Sequence, residues 1–238
     1  MLRQLTQEPG NKVQIHIVEP GTPLFQQGRA LAKSAYHDIW GTKKMSDDYD
    51  AGIVIVADDE VVANLNIRLR DNHRLLPSER FFRPKHWQDY FDGNPLKVAE
   101  MCSLAVDKHC NGPVRAVAFA GLIIGSHIIA NAHGLDLYTT VQRDFLIKRL
   151  QKAYQYKFIA NEVIKEPCAD VPDDRYWSQN PLPRLYYVYP QDMQTVMASF
   201  RLICDLICND VGIYYLNRAH SPAEIGDSFM APVTAAVA

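Results

Sequence analysis

Apolar residues recur at three- and four-residue intervals in four stretches of the chain, the spacing typical of a helix packed on one side. The predicted helices span residues 23–40, 113–133, 143–156 and 191–209. A glycine follows each of the first two, and glycine in that position commonly ends a helix. The last predicted helix carries its apolar residues on one face: Met193, Val196, Met197, Phe200, Ile203 and Ile207.

Alternation of apolar and polar residues predicts a β-hairpin between the first two helices. Its strands are residues 52–57 and 61–70, joined by an acidic turn. The return strand places Asn64, Asn66 and Arg68 on one face. A polar face of this kind is expected to meet solvent by default, with a ligand as the alternative.

The order of elements is mixed, which implies an α/β fold with one twisted sheet covered by helices. A chain of 238 residues favours one domain. We expect residues 1–218 to form that domain and residues 219–238 to be a loose tail. Further strands are predicted at residues 98–106, 135–141, 158–164 and 184–189.

The connection formed by residues 73–95 is rich in aromatic side chains and has no clear periodicity. Long connections in compact domains are often functional. We therefore expect an irregular loop here that serves as a lid over a substrate.

Composition narrows the classes of protein. The formal net charge of −2 gives no general reason to expect nucleic-acid binding. The five cysteines are odd in number and lack CxxC spacing, so reduced thiols in a cytoplasmic protein are expected, without a disulfide framework or metal site. The N-terminus shows no apolar signal stretch. Residues 113–133 are apolar but carry Arg115, Ser126 and His127, so a buried helix is favoured over a membrane span.

Glu100 is the polar residue that fits its surroundings least, because it interrupts the apolar strand at residues 98–106. A buried carboxylate must be paired, protonated or turned towards a cleft. Two interpretations stand equal: an ion pair with Arg68 or Arg70 across the sheet, or a functional carboxyl group.

Other polar groups give weaker signals. The acidic run of Asp47, Asp48 and Asp50 is either a solvated loop or, with Glu100, a recess for an amine. Ser103 lacks the flanking glycines of a hydrolase nucleophile. Cys102, its neighbour, is expected to be an inert thiol in the core. Residues 109–112 precede a helix start, where backbone N–H groups suit phosphate.

The order of these motifs resembles the GCN5-related acyltransferases, and within them the acyl-homoserine lactone synthases and N-acyl amino acid synthases. The resemblance covers residues 29–158. It departs from the family where Cys102-Ser103 occupies the place of a Ser-Arg pair, and where residues 109–114 lack the usual glycine pattern. The residues that carry the resemblance are Arg29, Trp40, Asp47-Asp48-Tyr49-Asp50, Arg68, Leu75-Leu76-Pro77 and the strand from Glu100 to Val106.

The resemblance implies roles for individual residues. Glu100 would accept the proton of the amine, with Ser103 beside it as the second candidate catalytic residue. An apolar slot for an acyl chain would lie under Phe119, Leu122 and Ile123, with ordinary helix packing as the competing interpretation. Substrate-binding roles fall to Arg29, Trp40, Asp47, Asp50, Arg68, Cys102, Leu104 and Val106, and phosphate-binding roles to Asn111, Gly112 and Val114.

The function that the resemblance implies is transfer of an acyl group, expected to be long, to the amine of an amino acid or related small molecule. The donor would be an acyl carrier protein or coenzyme A thioester, with no tightly bound cofactor. Two alternatives remain open: an acetyl-coenzyme A-dependent acetyltransferase for small amines, and a catalytically silent relative that binds an acyl ligand or a partner.

Overall fold

One eight-stranded sheet organises the protein. The structure, a computed structural model, describes residues 12–168 and 171–216. The predicted tail at residues 219–238 lies outside the described residues. In chain order the strands are β1 (Val13–Val18), β2 (Ala51–Ala57), β3 (Glu60–Leu69), β4 (Val98–Val106), β5 (Leu137–Gln142), β6 (Ile159–Ala160), β7 (Arg184–Val188) and β8 (Gly212–Leu216).

The strands lie side by side in the order β6-β7-β5-β4-β3-β2-β1-β8. Two neighbouring pairs, β4 with β5 and β1 with β8, are parallel, and the others are antiparallel. The helices are α1 (Pro23–Trp40), α2 (Pro77–Phe82), α3 (Trp87–Tyr90), α4 (Gly112–His133), α5 (Asp144–Tyr154), α6 (Arg175–Ser178) and α7 (Met193–Ile207). Helix α1 packs on β2, β3 and β4, α4 packs on β1, β2 and β3, and α7 lies on α4.

The predicted α/β architecture is confirmed, and the four long helices lie where the apolar periodicity placed them. The prediction missed β1 and β8, although the alternation of Val13, Ile15 and Ile17 with polar residues is visible in the sequence of β1. The strand predicted at residues 158–164 is reduced to the two residues of β6. The connection at residues 73–95 is not irregular, because it contains α2 and α3.

The ends of α1 follow from its sequence. The side chain of Thr22 accepts a hydrogen bond from the backbone N–H of Phe25, and Pro23 begins the helix, where its missing N–H costs nothing. At the other end Gly41 adopts φ 73°, a left-handed conformation that glycine tolerates best.

Helix α4 supplies the centre of the core. Gly121 and Gly125 let it lie close to the sheet, because a Cβ at either position would come within 3.0 Å of Ile15, Ile55 or Ile53. By length and composition α4 is the one helix among the described residues that is apolar enough to cross a membrane. Of its most apolar window, 72% is buried inside the fold, as expected of a core helix.

The apolar stripe of α7 faces outward. Met193, Met197, Phe200 and Ile207 are between 59% and 74% exposed. The buried face of the helix consists of smaller and aliphatic side chains: Thr195, Ala198, Ser199, Leu202 and Leu206. The helix therefore packs through a different face from the one that its largest apolar residues form.

The polar face of β3 is buried, so the expectation that it meets solvent is wrong. Asn64 and Asn66 are fully buried, and Arg68 is 5% exposed. Helix α1 covers this face. Gly28 of α1 approaches so closely that a Cβ would lie 2.6 Å from Oδ1 of Asn64.

The sheet opens into a fork between β4 and β5. The two strands pair only from Val98 to Glu100, opposite Leu137 to Thr139, and no further pairing joins them in the described part of the chain. Beyond Glu100 the register of β4 against β3 also shifts, at a bulge that contains Ser103. Ser103 has φ 54°, a left-handed conformation that is costly for a residue with a side chain.

Candidate active site

A cleft of about 280 Å³ opens on the α1 side of the fork. Its walls come from α1, residues 42–49, α2, β4 and residues 172–177. The cleft is both aromatic and charged. The aromatic side chains are Tyr36, Tyr49, Phe81, Tyr176 and Trp177, and the charged ones are Lys44, Asp48, Arg68, Arg80, Glu100 and Asp174.

Glu100 lies in the wall of this cleft and is 3% exposed. Its Oε2 accepts two hydrogen bonds from Ser78 at the start of α2, from the backbone N–H at 2.8 Å and from the hydroxyl at 2.5 Å. Burial raises the pKa of Glu100 to about 7, even though the hydrogen bonds from Ser78 lower it. A carboxyl group of this kind is poised to exchange a proton near neutral pH.

Of the two interpretations of Glu100, the ion pair with Arg68 or Arg70 does not form. Arg68 stands opposite Glu100 in the register of β3 and β4, but its guanidinium contacts Oδ2 of Asp48 at 2.5 Å. Arg70 makes two hydrogen bonds to Glu79, at 3.0 and 3.1 Å. Each arginine is satisfied by a carboxylate from outside the sheet, because a connecting segment folds over the strand ends.

Arg68 lines the cleft, and its charge is already balanced by Asp48. It also donates to the backbone carbonyl of Asp48. Arg74 reaches the same segment from the other side, contacting Asp48 at 2.9 Å and Asp50 at 2.6 Å. Asp50 in turn accepts the backbone N–H of Leu69 at 2.7 Å. Asp48 and Asp50 thus fix residues 46–50 against β3.

Arg29 contacts protein groups beneath the cleft and does not line it. It is 3% exposed and donates to Oδ1 of Asp47 at 3.1 Å, to the carbonyl of Ser46 at 2.6 Å and to Oδ1 of Asn66 at 2.9 Å. Its guanidinium also lies 4.7 Å from the centre of the Tyr49 ring. Arg29 therefore holds the segment that contains Ser46 and Asp47, and contact with a substrate stays a prediction for both Arg29 and Asp47.

Ser103 and Cys102 lie side by side in the cleft wall. The Ser103 hydroxyl is 2.8 Å from the hydroxyl of Tyr49, which ties the bulge of β4 to the segment before β2. Burial raises the pKa of the Cys102 thiol well above its usual value, so this thiol is not activated as a nucleophile. Both residues shape the wall around Glu100.

A second opening, a groove of about 380 Å³, runs along the far half of β4. Trp40, Leu104 and Val106 line it, as do Phe145 and Leu146 of α5. The groove also has a positive rim, which the sequence analysis did not identify. Its charged residues are Asp107, Lys108, Arg115, Arg143 and Arg149.

The start of α4 is a poorer phosphate site than its sequence suggests. The side chain of Asn111 accepts the backbone N–H of Val114 at 2.9 Å, and Pro113 has no N–H to offer. Asn111, Gly112 and Val114 do not border the groove; Lys108 and Arg115 do. An anion in the groove would be met by these side chains and not by the predicted backbone groups.

Phe119, Leu122 and Ile123 border an inner cavity of about 30 Å³ between α4, α5 and the fork. Leu104, Phe119 and Leu146 border both this cavity and the groove, so the two spaces adjoin. The residues of the predicted acyl slot therefore border a cavity, but one of only about 30 Å³, and its role as an acyl slot stays a prediction. Helix packing accounts for most of what these three side chains do.

Tyr36, Gln142 and Tyr176 separate the cleft from the groove, since all three border both. Gln142 also borders the inner cavity, so it stands at the meeting point of the three spaces. None of these three residues was predicted from the sequence. Tyr36 reads as part of a helical packing stripe, and Tyr176 lies in a polar connection without periodicity.

Comparisons with known proteins bear on the fold. No protein-family model matches the chain, and no curated protein matches it by sequence. Solved structures do match. FeeM, an N-acyl amino acid synthase from uncultured soil microbes, superposes with a TM-score of 0.55 at 14% identity, over 80% of this chain and 98% of FeeM.

Two further structures are similar. BjaI, a CoA-dependent acyl-homoserine lactone synthase solved with SAM and isopentyl-CoA, gives a TM-score of 0.59 at 11% identity, over 86% of this chain and 95% of BjaI. The AHL synthase LasI gives 0.55 at 12% identity, over 80% and 95%. The chain thus has the fold of these acyl-transferring synthases, which confirms the predicted GCN5-related acyltransferase fold.

Proposed function

We propose that this protein transfers an acyl group from a thioester to the amine of an amino acid or related small molecule. The observation that carries the proposal is the position of Glu100, a carboxyl group with a pKa near 7 in the wall of a cleft beside an open fork of the sheet. The fold shared with N-acyl amino acid and acyl-homoserine lactone synthases supports it.

Glu100 acts as the general base. An amine is protonated at neutral pH and must lose a proton before its lone pair attacks the thioester carbonyl carbon. Glu100 takes that proton, directly or through water. The carbon–sulfur bond then breaks, the thiolate takes the second proton that the nitrogen loses, and the products are an amide and a free thiol.

The fork provides the place for the thioester carbonyl. Residues 101–106 of β4 have no partner strand on the β5 side in the described structure, so backbone N–H groups on that edge are open to a ligand. Donors held in place by a strand stabilise a tetrahedral oxyanion without reorganising.

The donor occupies the groove. Lys108, Arg115 and Arg149 attract the phosphate groups that coenzyme A and the prosthetic group of acyl carrier protein both carry. The acyl chain passes Leu104 towards the inner cavity, and the thioester reaches Gln142 at the boundary with the cleft.

The acceptor occupies the cleft, and Arg80 and Lys44 are the cations suited to its carboxylate. Both are exposed at the cleft, and no carboxylate among the described residues forms an ion pair with either. Arg68, to which the resemblance gave a substrate-binding role, is already paired with Asp48. The aromatic wall of Tyr49, Tyr176 and Trp177 surrounds the rest of the acceptor.

An assay of turnover, followed by release of the free thiol, tests the proposal. Purified protein is supplied with acyl-coenzyme A or acyl carrier protein thioesters of several chain lengths and a mixture of amino acids, and the new amide is identified by mass spectrometry. Glu100→Gln should lower turnover by at least about 100-fold, the usual contribution of a general base. Glutamine keeps the shape and an oxygen that can accept the N–H of Ser78, so the fold should persist.

Glu60→Gln is the matched control, since Glu60 is exposed at the start of β3 and outside the cleft. It should leave turnover unchanged. Lipid extracts of cells producing the wild type and Glu100→Gln provide a second readout. If the two proteins form product at the same rate, Glu100 is not the base. If neither protein forms product in either readout, a catalytically silent, acyl-binding relative becomes the better account.

The small inner cavity favours one alternative, an acetyl-coenzyme A-dependent acetyltransferase for small amines. A space of about 30 Å³ accepts a long chain only if side chains move. The chain-length series decides between the two: turnover with acetyl-coenzyme A alone would select the acetyltransferase.

A further inference from the structure

Ser78 is a buried serine in the first turn of α2, with no exposed surface. Both of its hydrogen-bond donors point to one oxygen of Glu100. The backbone N–H lies 2.8 Å and the hydroxyl 2.5 Å from Oε2. Serine contributes nothing to an apolar core, so its position beside the candidate base calls for a physical explanation.

The contacts of the Ser78 hydroxyl define the donor and acceptor in each bond of a short hydrogen-bond chain. A serine hydroxyl has one hydrogen, and here it is donated to Oε2 of Glu100. The contact between Ser78 and the hydroxyl of Tyr90 must then be donated by Tyr90. Thr139 lies 3.3 Å away and directs its own hydrogen to the carbonyl of Ala99. Tyr90 therefore donates to Ser78, and Ser78 donates to Glu100.

Tyr90 is itself held in place. It is 1% exposed, and its backbone carbonyl accepts the hydroxyl of Tyr187. Asn161 donates to that same Tyr187 hydroxyl at 2.5 Å and to the carbonyl of Asp89 at 3.3 Å. These hydrogen bonds thus connect Glu100 to β7 and to the segment after β6, and they restrict the rotation of each side chain that takes part.

We propose that Ser78 is a positioning residue for the general base: by donating twice to Oε2 of Glu100, it fixes the orientation of the carboxyl group that receives the proton of the amine. The catalytic role of Ser78 rests on the proposed function, whereas its effect on the Glu100 carboxyl can be measured without turnover. Catalytic groups need an orientation fixed by neighbouring hydrogen bonds, and the two donors of one serine supply it.

Ser78 also keeps Glu100 ionisable at neutral pH. Burial raises the pKa of the Glu100 carboxyl, and the two donors of Ser78 oppose that effect because they stabilise the charged form. Without them the pKa of the carboxyl would be higher still. The other titratable or charged groups around Glu100 are Arg68, Glu79, Tyr49, Tyr90, Cys102 and Tyr176.

The test is a carbon-13 NMR titration of the Glu100 carboxyl, assigned by the signal that Glu100→Gln removes. Ser78→Ala removes the hydroxyl donor and should raise the pKa by about one unit, since a hydrogen bond to a charged group commonly contributes that much. Tyr90→Phe keeps Ser78 and should give a smaller rise in the same direction.

The pH profile of kcat/KM is the second readout. Its acid limb should move to higher pH in Ser78→Ala, with the rate falling about tenfold at pH values below the limb. The NMR titration does not require turnover. A raised pKa without any acyl transfer would keep the inference and reject the proposed function.

The inference is overturned if the pKa of Glu100 is the same in wild type, Ser78→Ala and Tyr90→Phe. Thermal unfolding checks that each variant is folded before titration. If Ser78→Ala does not fold, Tyr90→Phe decides alone, because its ring still fills the space and only the donor to Ser78 is lost.

Discussion

Arg80 and Lys44 make a residue-scale prediction about the acceptor. If Arg80 binds a carboxylate, Arg80→Gln should raise KM about tenfold for an amino acid and leave KM for the matching amino acid amide unchanged. Initial-rate measurements with each pair of acceptors check this. Arg149→Gln, which alters the groove, should not distinguish the two acceptors. An equal rise for acid and amide would remove the carboxylate role from Arg80.

Glu100 was predictable at this scale, whereas its partners were not. Burial of a carboxylate in an apolar strand is unfavourable unless the group is paired or protonated, and Glu100 was identified in the sequence for this reason. Ser78 follows a proline and suggests only a helix start. Asp48 gives no local sign that it neutralises Arg68. Both pairs form because connecting segments fold back onto the sheet, and a short-range sequence pattern does not predict such contacts.

Helix α7 gives the prediction at the scale of elements. Leu202 is 3% exposed and packs in the core, so Leu202→Ala should lower the free energy of unfolding by about 2 to 4 kcal/mol. Phe200 is 59% exposed, and Phe200→Ser should change it by about 0.5 kcal/mol or less. Denaturant unfolding measures both.

A large effect of Phe200→Ser would show that the outward stripe of α7 is covered in the native protein. Periodicity predicted the existence and length of this helix but assigned no partner to its faces. Which face is buried depends on the position of α7 against α4, and the buried face includes the small side chains Ala198 and Ser199. The same limit applies to β3, where the polar face is buried because α1 lies over it.

Arg143 links distant parts of the whole molecule. It is 4% exposed and donates four hydrogen bonds to backbone carbonyls, those of Arg175, Tyr176, Gln179 and Pro181, at 2.6 to 3.0 Å. Its guanidinium also lies 4.6 Å from the ring of Trp40. One side chain thus fixes the segment that closes the cleft to α1 and α5.

Arg143→Met should therefore destabilise the protein by about 2 to 4 kcal/mol, because it leaves the buried bond to the carbonyl of Tyr176 and three part-buried bonds to the carbonyls of Arg175, Gln179 and Pro181 without their donor. The segment at residues 172–183 should also become more sensitive to limited proteolysis. Arg149→Met, in the helix that follows Arg143 and exposed, is the control and should show neither effect. A proteolysis pattern unchanged in Arg143→Met would mean that other contacts hold the segment.

At the scale of the molecule, the order of helices and strands was enough to predict the architecture, because it depends on apolar periodicity that the sequence displays. The cleft was not predictable as a whole. Its walls come from α1, α2, β4 and residues 172–177, which are far apart in the chain and meet only in the folded sheet.

Because Ser103 has a left-handed backbone conformation, directed evolution for heat resistance and directed evolution for activity should favour different residues at this position. Glycine at this position would relieve the strain, so a screen for heat resistance would tend to replace the serine. The replacement would also free the Tyr49 hydroxyl and loosen the wall beside Glu100. A screen for product formation would keep the serine, so a library sorted by both criteria would separate at residue 103.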